Sequence, residues 1–263
     1  MNAPVSAAVL LREDHGAVAY LTLNRPQARN ALSVGLITAL EQALSDIASD
    51  RTIHVVVIGG AGPGFCAGHD LRELRARPEQ AEHRALFTQC SRLMQQIVGL
   101  PKPVIARVHG VATAAGCQLV ASCDLAVAAE TARFATPGVS IGLFCSMPMV
   151  ALTRVVPRKA AMEMLLTGEM IDAARARELG LVNRVVPEAE LDAAVAALAG
   201  QIAAKSPLTL AIGKDAFYRQ ANMDLPTAYA LTADIMTRNM MANDAAEGIE
   251  AFLAKRPPMW TGS

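Results

Sequence analysis

A β-branched run that ends in a glycine-rich loop is the feature that most constrains the fold of this chain. Residues 55–71 read VVVIGGAGPGFCAGHDL, and the first four predict a buried strand. Residues 62–67, GPGFCA, fit the dinucleotide-binding pattern G-x-G-x-x-G/A. The glycines have two possible uses: they could wrap a pyrophosphate, or they could let the backbone approach a different ligand.

The dinucleotide interpretation requires a loop that follows its strand directly and opens a helix leading to a second strand. Here three residues separate Ile58 from Gly62, and Pro63 lies inside the motif. The acid that should end the second strand, Glu82, falls instead in a segment with apolar residues at steps of three and four, which predicts a helix. These mismatches disfavour a dinucleotide site.

Composition narrows the classes of partner. The chain has 263 residues, 52% of them hydrophobic and 18% charged, and its formal net charge is zero. Phosphate binding needs clustered cations, and no Lys/Arg-rich run is present, so we expect no nucleic-acid partner. No apolar stretch reaches membrane-spanning length, so we expect no membrane partner.

The cysteines and the N-terminus predict a reduced, cytoplasmic setting. The five cysteines form no C-x-x-C pair, and their expected role is that of small buried residues. Residues 1–16 lack a basic start and an Arg/Ser-rich amphipathic pattern, so no signal or transit peptide is expected. The five histidines show no ligand spacing, so no metal site is expected.

Strands and helices are predicted to alternate over the first two thirds of the chain, which indicates an α/β fold. Ser33 is predicted to cap a helix with an apolar stripe ending at Ile47, and Asp172 to cap another. The last third is predicted to be helical. The predicted strands are 17–24, 55–58, 102–110 and 123–130, and the predicted C-terminal helices are 188–205, 207–220, 226–242 and 244–256.

Four motifs occur in an order that resembles the enoyl-CoA hydratase/isomerase family, the crotonases, over nearly the whole chain. TPGV…GLFC further resembles the enoyl-CoA hydratase domain-containing subgroup, whose members lack the family's two catalytic glutamates. The four motifs are LNRPQARNALS (23–33), GFCAGHDL (64–71), KPVIARVHGVATAAGCQLVASCDLAVA (102–128) and LLTGEMIDAARARELGLVNRVVP (165–187).

The resemblance implies the ClpP/crotonase-like fold, an α/β spiral of ββα units with a helical C-terminal trimerisation region. It implies a core at residues 1–200 that binds a CoA thioester and an oligomerisation region at 201–263. The implied partners are an acyl-CoA or enoyl-CoA thioester and copies of the same chain, as a homotrimer or a dimer of trimers. Coenzyme A would be part of the substrate, with no separate cofactor. On this basis the loop glycines let the backbone approach a thioester.

The resemblance also assigns two backbone amides to the thioester oxygen, those of His69 and Ala115. Two donors aimed at an oxyanion stabilise the charge that develops on it. The alternative is that Ala114, Ala115 and Gly116 only permit tight helix–strand packing.

Further residues match family positions that contact CoA or the acyl group. Asp70 fits a helix cap as well as a CoA contact. Lys255, with Arg256, fits either a phosphate-binding stretch or a solvated helix end. The CoA positions are Ala28, Arg29, Ala67, His69, Asp70, Leu71 and Lys255, and the acyl-pocket positions are Gly142, Phe144, Cys145 and Ser146.

The sequence departs from the family at both acid/base positions. Gln118 stands where one glutamate is expected and Gly138 where the other is. Neither residue can act as a general base, and no acid occurs at 83–123 or 131–162. Cys145 and Ser146 could be nucleophiles but have no identifiable His partner, and the His69 side chain could be a base.

These observations predict an enoyl-CoA hydratase/isomerase family protein of fatty acid metabolism with weak or no true hydratase activity. Two alternatives remain open. One is another thioester reaction in the same oxyanion hole, such as hydrolysis or decarboxylation. The other is a non-catalytic acyl-CoA binding or regulatory protein.

Overall fold

The computed structural model of the chain describes residues 8–263. The expectation that no targeting segment occupies residues 1–16 falls partly on residues 1–7, which lie outside the described residues. The strands are β1 (Leu10–His15), β2 (Val18–Leu23), β3 (Val55–Gly60), β4 (Val104–Val108), β5 (Val111–Thr113), β6 (Leu125–Ala129), β7 (Arg133–Ala135), β8 (Ile171–Asp172) and β9 (Arg184–Val186).

The helices occupy the segments between the strands and most of the C-terminal third. They are α1 (Val34–Ser49), α2 (Leu71–Ala76), α3 (Gln80–Gly99), α4 (Ala115–Ser122), α5 (Pro148–Val155), α6 (Arg158–Thr167), α7 (Ala173–Glu178), α8 (Leu191–Ala203), α9 (Pro207–Gln220), α10 (Leu225–Met240) and α11 (Asn243–Leu253). Short 3-10 turns lie at Pro26–Ala28, Pro137–Ile141 and Glu188–Glu190.

Two sheets organise the α/β part. The larger has the order β1-β2-β3-β4-β6-β9 and is parallel except for the antiparallel β1–β2 pair. The smaller has the order β5-β7-β8, with β5 and β7 parallel. The carboxyl ends of parallel strands lie at the same end of a sheet, so the loops that leave these strands also lie there.

The larger sheet is buried on both faces, which explains the unbroken apolar run of β3. Val56 and Ile58 pack into the cluster that contains the stripes of α1 and α3, whereas Val55 and Val57 pack against α8. A strand covered on both faces has no solvent side, so it needs apolar residues at every position.

Most predicted elements are present, with shifted ends. Ser33 and Asp172 cap α1 and α7 as predicted, through bonds from the amides of Leu36 and Arg175. β1 was missing from the prediction, because residues 12–15 at its end are polar and exposed and give no apolar alternation. The segment 111–122 divides into β5 and α4, where the sequence indicated only a short helix.

A buried polar cluster anchors the C-terminal helix α9 to the larger sheet. Lys214 Nζ donates to Asp124 Oδ2 at 2.7 Å and to the carbonyls of Ile97 and Lys102. Tyr218 donates to the other carboxylate oxygen of Asp124 at 2.9 Å. The Lys214 side chain is 7% exposed, so its charge is balanced almost entirely by protein groups.

Removal of this cation should destabilise the fold. We expect Lys214→Met to lower the free energy of unfolding by about 3 kcal/mol, because Asp124 would keep a partly buried charge without its cation. Equilibrium urea denaturation measures the change. The control is Asp215→Ala, which breaks an exposed pair with Arg219 and should cost below about 1 kcal/mol. Equal losses in the two variants would contradict the anchoring role.

Among the described helices, none alone combines the length and the apolar character that crossing a bilayer requires. The pair Glu188–Ala203 and Pro207–Gln220 reaches that length and composition jointly, with a bend of 101° between its halves.

Candidate functional site

A cavity of about 920 Å³ opens where the chain leaves four strands. Its walls come from segments within residues 25–31, 67–74, 114–115 and 137–148, which follow β2, β3, β5 and β7. Phe87 of α3 completes the lining. Loops at the carboxyl ends of parallel strands are the usual location of ligand sites in α/β proteins.

Glycines bring the loop after β3 against the start of α4. The Cys66 amide donates to the Val111 carbonyl at 3.0 Å, and the Thr113 amide donates to the Cys66 carbonyl at 2.9 Å. A Cβ atom on Gly116 would lie 2.1 Å from the Cys66 carbonyl oxygen, so no larger residue fits there without movement of the backbone. Gly68 has φ +95°, and a Cβ on it would lie 3.3 Å from the Ala115 nitrogen. The loop and the start of α4 are therefore in direct contact at the cavity wall.

The amides of His69 and Ala115 are both unpaired at this wall. His69 forms a parallel bridge with Leu32 in which the Leu32 amide donates to the Gly68 carbonyl and the Asp70 amide donates to Leu32. This pattern leaves the His69 amide on the side away from Leu32. Ala115 is the first residue of α4, where an amide has no carbonyl partner within its helix. Within residues 8–263, neither amide donates a hydrogen bond.

The His69 side chain lines the same cavity as a neutral ring. It packs edge-on against Phe87, with ring centroids 5.4 Å apart, and its Nε2 atom is buried without a partner among the described residues. Burial lowers the pKa of His69 to about 4, because desolvation disfavours the imidazolium ion. At neutral pH this side chain therefore carries no charge.

The lowered pKa of His69 predicts a pH-dependent stability. Between about pH 4 and pH 6.5 the unfolded chain holds a proton on this residue that the folded chain does not. The free energy of unfolding should therefore rise with pH through this window. Above about pH 6.5 His69 should cause no further rise. His69→Phe should flatten the rise in thermal denaturation series, whereas His15→Phe, on the exposed β1, should keep it. An unchanged slope in His69→Phe would show that another group causes the effect.

Asp70 is the sole acid among the described residues that line the cavity, and its carboxylate is already engaged. It accepts from Arg25 Nη2 at 2.8 Å and from the amides of Arg72 and Glu73, and so caps α2. Burial acts to raise the pKa of Asp70, but the bonds from Arg25 and the two amides outweigh it and lower the pKa. The predicted cap is confirmed, and the carboxylate is held in its ionised form by neighbouring donors.

Gly138 cannot be replaced by a larger residue without rearrangement of the loop. A Cβ atom there would lie 2.4 Å from the Leu143 carbonyl oxygen and 2.9 Å from Cys145 Sγ. The Leu143 amide donates to the Gly138 carbonyl at 2.9 Å, which closes the loop on itself. The loop between β7 and α5 is thus built around a residue with no side chain.

Gln118 is 4% exposed and lies in the first turn of α4. Its backbone N–H donates to the Ala114 carbonyl at 3.0 Å. Its side-chain Oε1 atom is buried without a partner among the described residues. A buried acceptor without a donor is uncommon in native proteins, so a donor from outside the chain, such as a water or a ligand, is expected to pair with this atom.

The two candidate nucleophiles differ in environment. Burial raises the pKa of the Cys145 thiol, which disfavours the reactive thiolate. Ser146 Oγ donates to the Phe144 carbonyl at 3.4 Å and is not activated by a base among the described residues. Within residues 8–263, neither side chain has the base partner that nucleophilic catalysis needs.

The structure brings most of the sequence-predicted residues to the cavity. Gln118, Gly142 and Lys255 are not part of its lining, and Lys255 follows α11 in a left-handed turn, with φ +54°. Its neighbour Arg256 bonds Glu247 at 2.6 Å, and this bond, with that from the Met259 amide, lowers the pKa of Glu247 to about 2. The predicted residues that line the cavity are Ala28, Arg29, Ala67, His69, Asp70, Leu71, Ala115, Gly138, Phe144, Cys145 and Ser146.

Sequence reasoning missed three lining residues with side chains suited to binding: Arg25, Arg72 and Phe87. Phe87 lies beside the buried stripe of α3, so its position in the helix gives no sign of a site. Arg25 and Asp70 are 45 residues apart, and only the tertiary fold pairs them. Arg25 lies within the first of the four family motifs, LNRPQARNALS, and that position was a sequence signal that its side chain could belong to the site.

Comparison with known proteins places this sequence and fold among related chains. The sequence model of the enoyl-CoA hydratase/isomerase family matches residues 13–263. The human mitochondrial enoyl-CoA hydratase domain-containing protein 3 is 48% identical over 241 residues, which cover 92% of this chain and 80% of the relative.

Solved structures agree with the sequence relatives. The crystal structure of an enoyl-CoA hydratase from Mycobacterium smegmatis is 52% identical, with a TM-score of 0.94 and coverage of 96% of this chain and 98% of that one. The crystal structure of the human domain-containing protein 3 is 46% identical, with a TM-score of 0.94 over 96% of this chain and 100% of that one. The predicted crotonase fold and the resemblance to the domain-containing subgroup are confirmed, and the chain belongs to the enoyl-CoA hydratase/isomerase family.

Proposed function

We propose that the chain binds an acyl-CoA thioester in the cavity and polarises its carbonyl between the amides of His69 and Ala115, with little true hydratase activity. The observation that carries this proposal is a pair of unpaired amides on adjoining segments of one cavity wall. Ala115 also begins the eight-residue helix α4, and the positive end of the helix dipole favours a developing negative charge.

The residues at the rim of the cavity suit the phosphates and the pantetheine arm of coenzyme A. Arg29 and Arg72 are exposed lining residues, and their guanidinium groups can bond phosphate oxygens. Ala28, Ala67 and Leu71 line the cavity beside them with apolar surface for the pantetheine arm. The CoA moiety enters as part of the substrate, without a separate cofactor.

The described residues that line the cavity include no free carboxylate, and this limits the chemistry. Gln118 cannot titrate, Gly138 has no side chain, and Asp70 is bound to Arg25. An oxyanion site without a base suits a reaction whose leaving group departs unaided. In decarboxylation of a malonyl-type thioester, the Cα–carboxylate bond breaks and carbon dioxide leaves. The electron pair forms the thioester enolate, whose oxygen the two amides hold, and Cα then takes a proton from water. Hydrolysis and binding without turnover are the other outcomes.

The assembly, location and division of the chain stay predictions. Helices α10 and α11 expose large apolar residues, which suits a trimer or a dimer of trimers. The vertebrate relatives carry the word mitochondrial in their names, so the cytoplasmic location predicted for this chain is not supported by them. The division into a core at 1–200 and an oligomerisation region at 201–263 remains a prediction. The exposed residues are Leu225, Tyr229, Met236 and Met240 of α10, Met241 directly after it, and Ile249, Phe252 and Leu253 of α11.

A panel of acyl-CoAs tests the proposal. Isothermal titration calorimetry should show binding of acyl-CoA thioesters at the cavity, and a matched Arg29→Ala/Arg72→Ala variant should bind more weakly. Thiol release and mass spectrometry then separate a reaction from simple binding. If no thioester of the panel binds the folded protein, the proposal fails.

A further inference from the structure

A fully buried asparagine lies behind the cavity wall and contacts two of the loops that form it. Asn30 is 0% exposed and is not among the residues that line the cavity, although its neighbours Arg29 and Ala31 both line it. The side chain of Asn30 therefore lies in the protein interior, where it contacts the loops and would not touch a ligand.

The side chain of Asn30 joins the loop after β2 to the loop after β3. Its Nδ2 atom donates to the carbonyls of Ala61 and Gly64, both at 2.8 Å. Its Oδ1 atom accepts from the Arg25 amide at 2.9 Å. An asparagine side chain has two N–H donors and one carbonyl acceptor, so its donor nitrogen and its acceptor oxygen both have partners in the loops.

Few residue types meet the requirements of this position. The backbone of Asn30 is left-handed, with φ +54°, a conformation that asparagine adopts more readily than most residues with a side chain. A Cβ on Gly60 would lie 2.8 Å from Asn30 Nδ2, so the surroundings are tightly packed. Glycine suits this backbone but makes no such bonds, and ionised aspartate has the same shape but no donor.

The two loops then run side by side as far as the predicted oxyanion donor. The Ala67 amide donates to the Arg29 carbonyl at 3.0 Å, and the Leu32 amide donates to the Gly68 carbonyl at 2.7 Å. His69 follows, and its bridge with Leu32 leaves its amide on the side away from Leu32. The direction of the His69 amide therefore depends on the alignment of the two loops.

We propose that Asn30 is a positioning residue that aims the His69 amide at the thioester oxygen by holding the two loops in alignment. It touches neither the substrate nor the reacting atoms. This inference rests on the proposed thioester binding and adds a residue to it. Groups in a catalytic site need placement to within about 0.5 Å, and a misplacement of about 1 Å can cost about 10²-fold in rate.

Two substitutions separate the hydrogen bonds of Asn30 from its shape and its backbone. Asn30→Gly keeps the left-handed backbone and removes the side chain, whereas Asn30→Asp keeps the shape and removes the N–H donors. The control is Ser206→Ala at the start of α9. It removes a buried hydroxyl and its bonds with Asp244 and the Thr209 amide, at a residue that does not line the cavity. Circular dichroism shows which variants fold, and thermal denaturation compares their losses of stability.

The measurement is the infrared band of a bound acyl-CoA labelled with ¹³C at the thioester carbonyl. The unmodified protein should move this band to lower frequency. In folded Asn30→Gly and Asn30→Asp the band should return by roughly half, because one of the two donors is no longer aimed at the oxygen. The kcat of any thioester that turns over should fall by about 10–10²-fold. Ser206→Ala should keep the full displacement and the full kcat, whatever stability it loses.

Three results would contradict the inference, and they differ in what else they overturn. A full displacement of the band in folded Asn30→Gly or Asn30→Asp would overturn the inference and leave thioester binding intact. Failure of both variants to fold would also overturn it, since Asn30 would then determine the fold instead of the aim of one amide. A band that does not move in the unmodified protein would overturn the proposed function, and the inference with it.

Discussion

Crotonyl-CoA mixed with the purified protein is expected to lose its conjugated thioester absorbance at least about 10²-fold more slowly than the roughly 10 s⁻¹ typical of enzymes. Hydration needs one group to activate water and another to handle the α-proton. The positions where the family keeps two glutamates hold Gln118, whose amide does not titrate, and Gly138, which has no side chain. Each acid/base group contributes about 10²–10⁴-fold, although the two contributions need not multiply.

The control is a family hydratase with both glutamates, assayed at the same concentration. Restoring the acids should be difficult in this chain. Gln118→Glu supplies only one of the two groups, and Gly138→Glu forces a Cβ to within 2.4 Å of the Leu143 carbonyl oxygen. We expect the second change to cost about 1–3 kcal/mol of stability by overpacking. Turnover of crotonyl-CoA near 10 s⁻¹ by the unmodified protein would contradict the account.

Ala115→Pro is expected to lower kcat for any thioester reaction of this protein by about 10²–10³-fold, with a smaller change in KM. Proline has no backbone N–H, so the thioester carbonyl oxygen would lose one of its two hydrogen-bond donors. It also suits the first position of a helix, where α4 begins and where the Ala115 amide has no bond to lose among the described residues. Steady-state kinetics of the most active member of the acyl-CoA panel gives the result.

The control for Ala115→Pro is Ala114→Gly, which keeps the Ala115 amide. Ala114 has φ +50°, a backbone conformation that glycine adopts without strain, so this variant should keep both its stability and its activity. Circular dichroism shows whether Ala115→Pro is folded. A folded Ala115→Pro variant with full activity would rule out the Ala115 amide as an oxyanion donor.

The parts of the fold that repeat a local pattern were predictable from the sequence. The apolar stripes of α1 and α3 and the side-chain caps at Ser33, Asp70 and Asp172 depend on residues within one or two turns of each other. The short strands β5, β7 and β8 escaped prediction. Two or three residues carry no periodicity, and only pairing with distant segments fixes them as strands.

The candidate site likewise has a part that could be predicted from the sequence and a part that could not. The glycine-rich loop and the turn before α4 stand out in the sequence, so His69 and Ala115 could be chosen in advance. Long-range packing determines three further features of the site. They are the Arg25–Asp70 pair, the packing of Phe87 against His69 and the contacts that fix Gly138. The bridge between Leu32 and His69, which leaves the His69 amide on the side away from Leu32, is likewise set by tertiary structure.

Isotope-edited infrared spectroscopy of a bound thioester tests the central claim most directly. A non-reacting acyl-CoA labelled with ¹³C at the thioester carbonyl would be titrated with the protein and with its Ala115→Pro variant. Two amides bonded to the oxygen weaken the C=O bond, so the carbonyl band should move to lower frequency on binding and move back in the variant. A bound thioester whose carbonyl band stays at its frequency in water, and is the same in both proteins, would contradict the account.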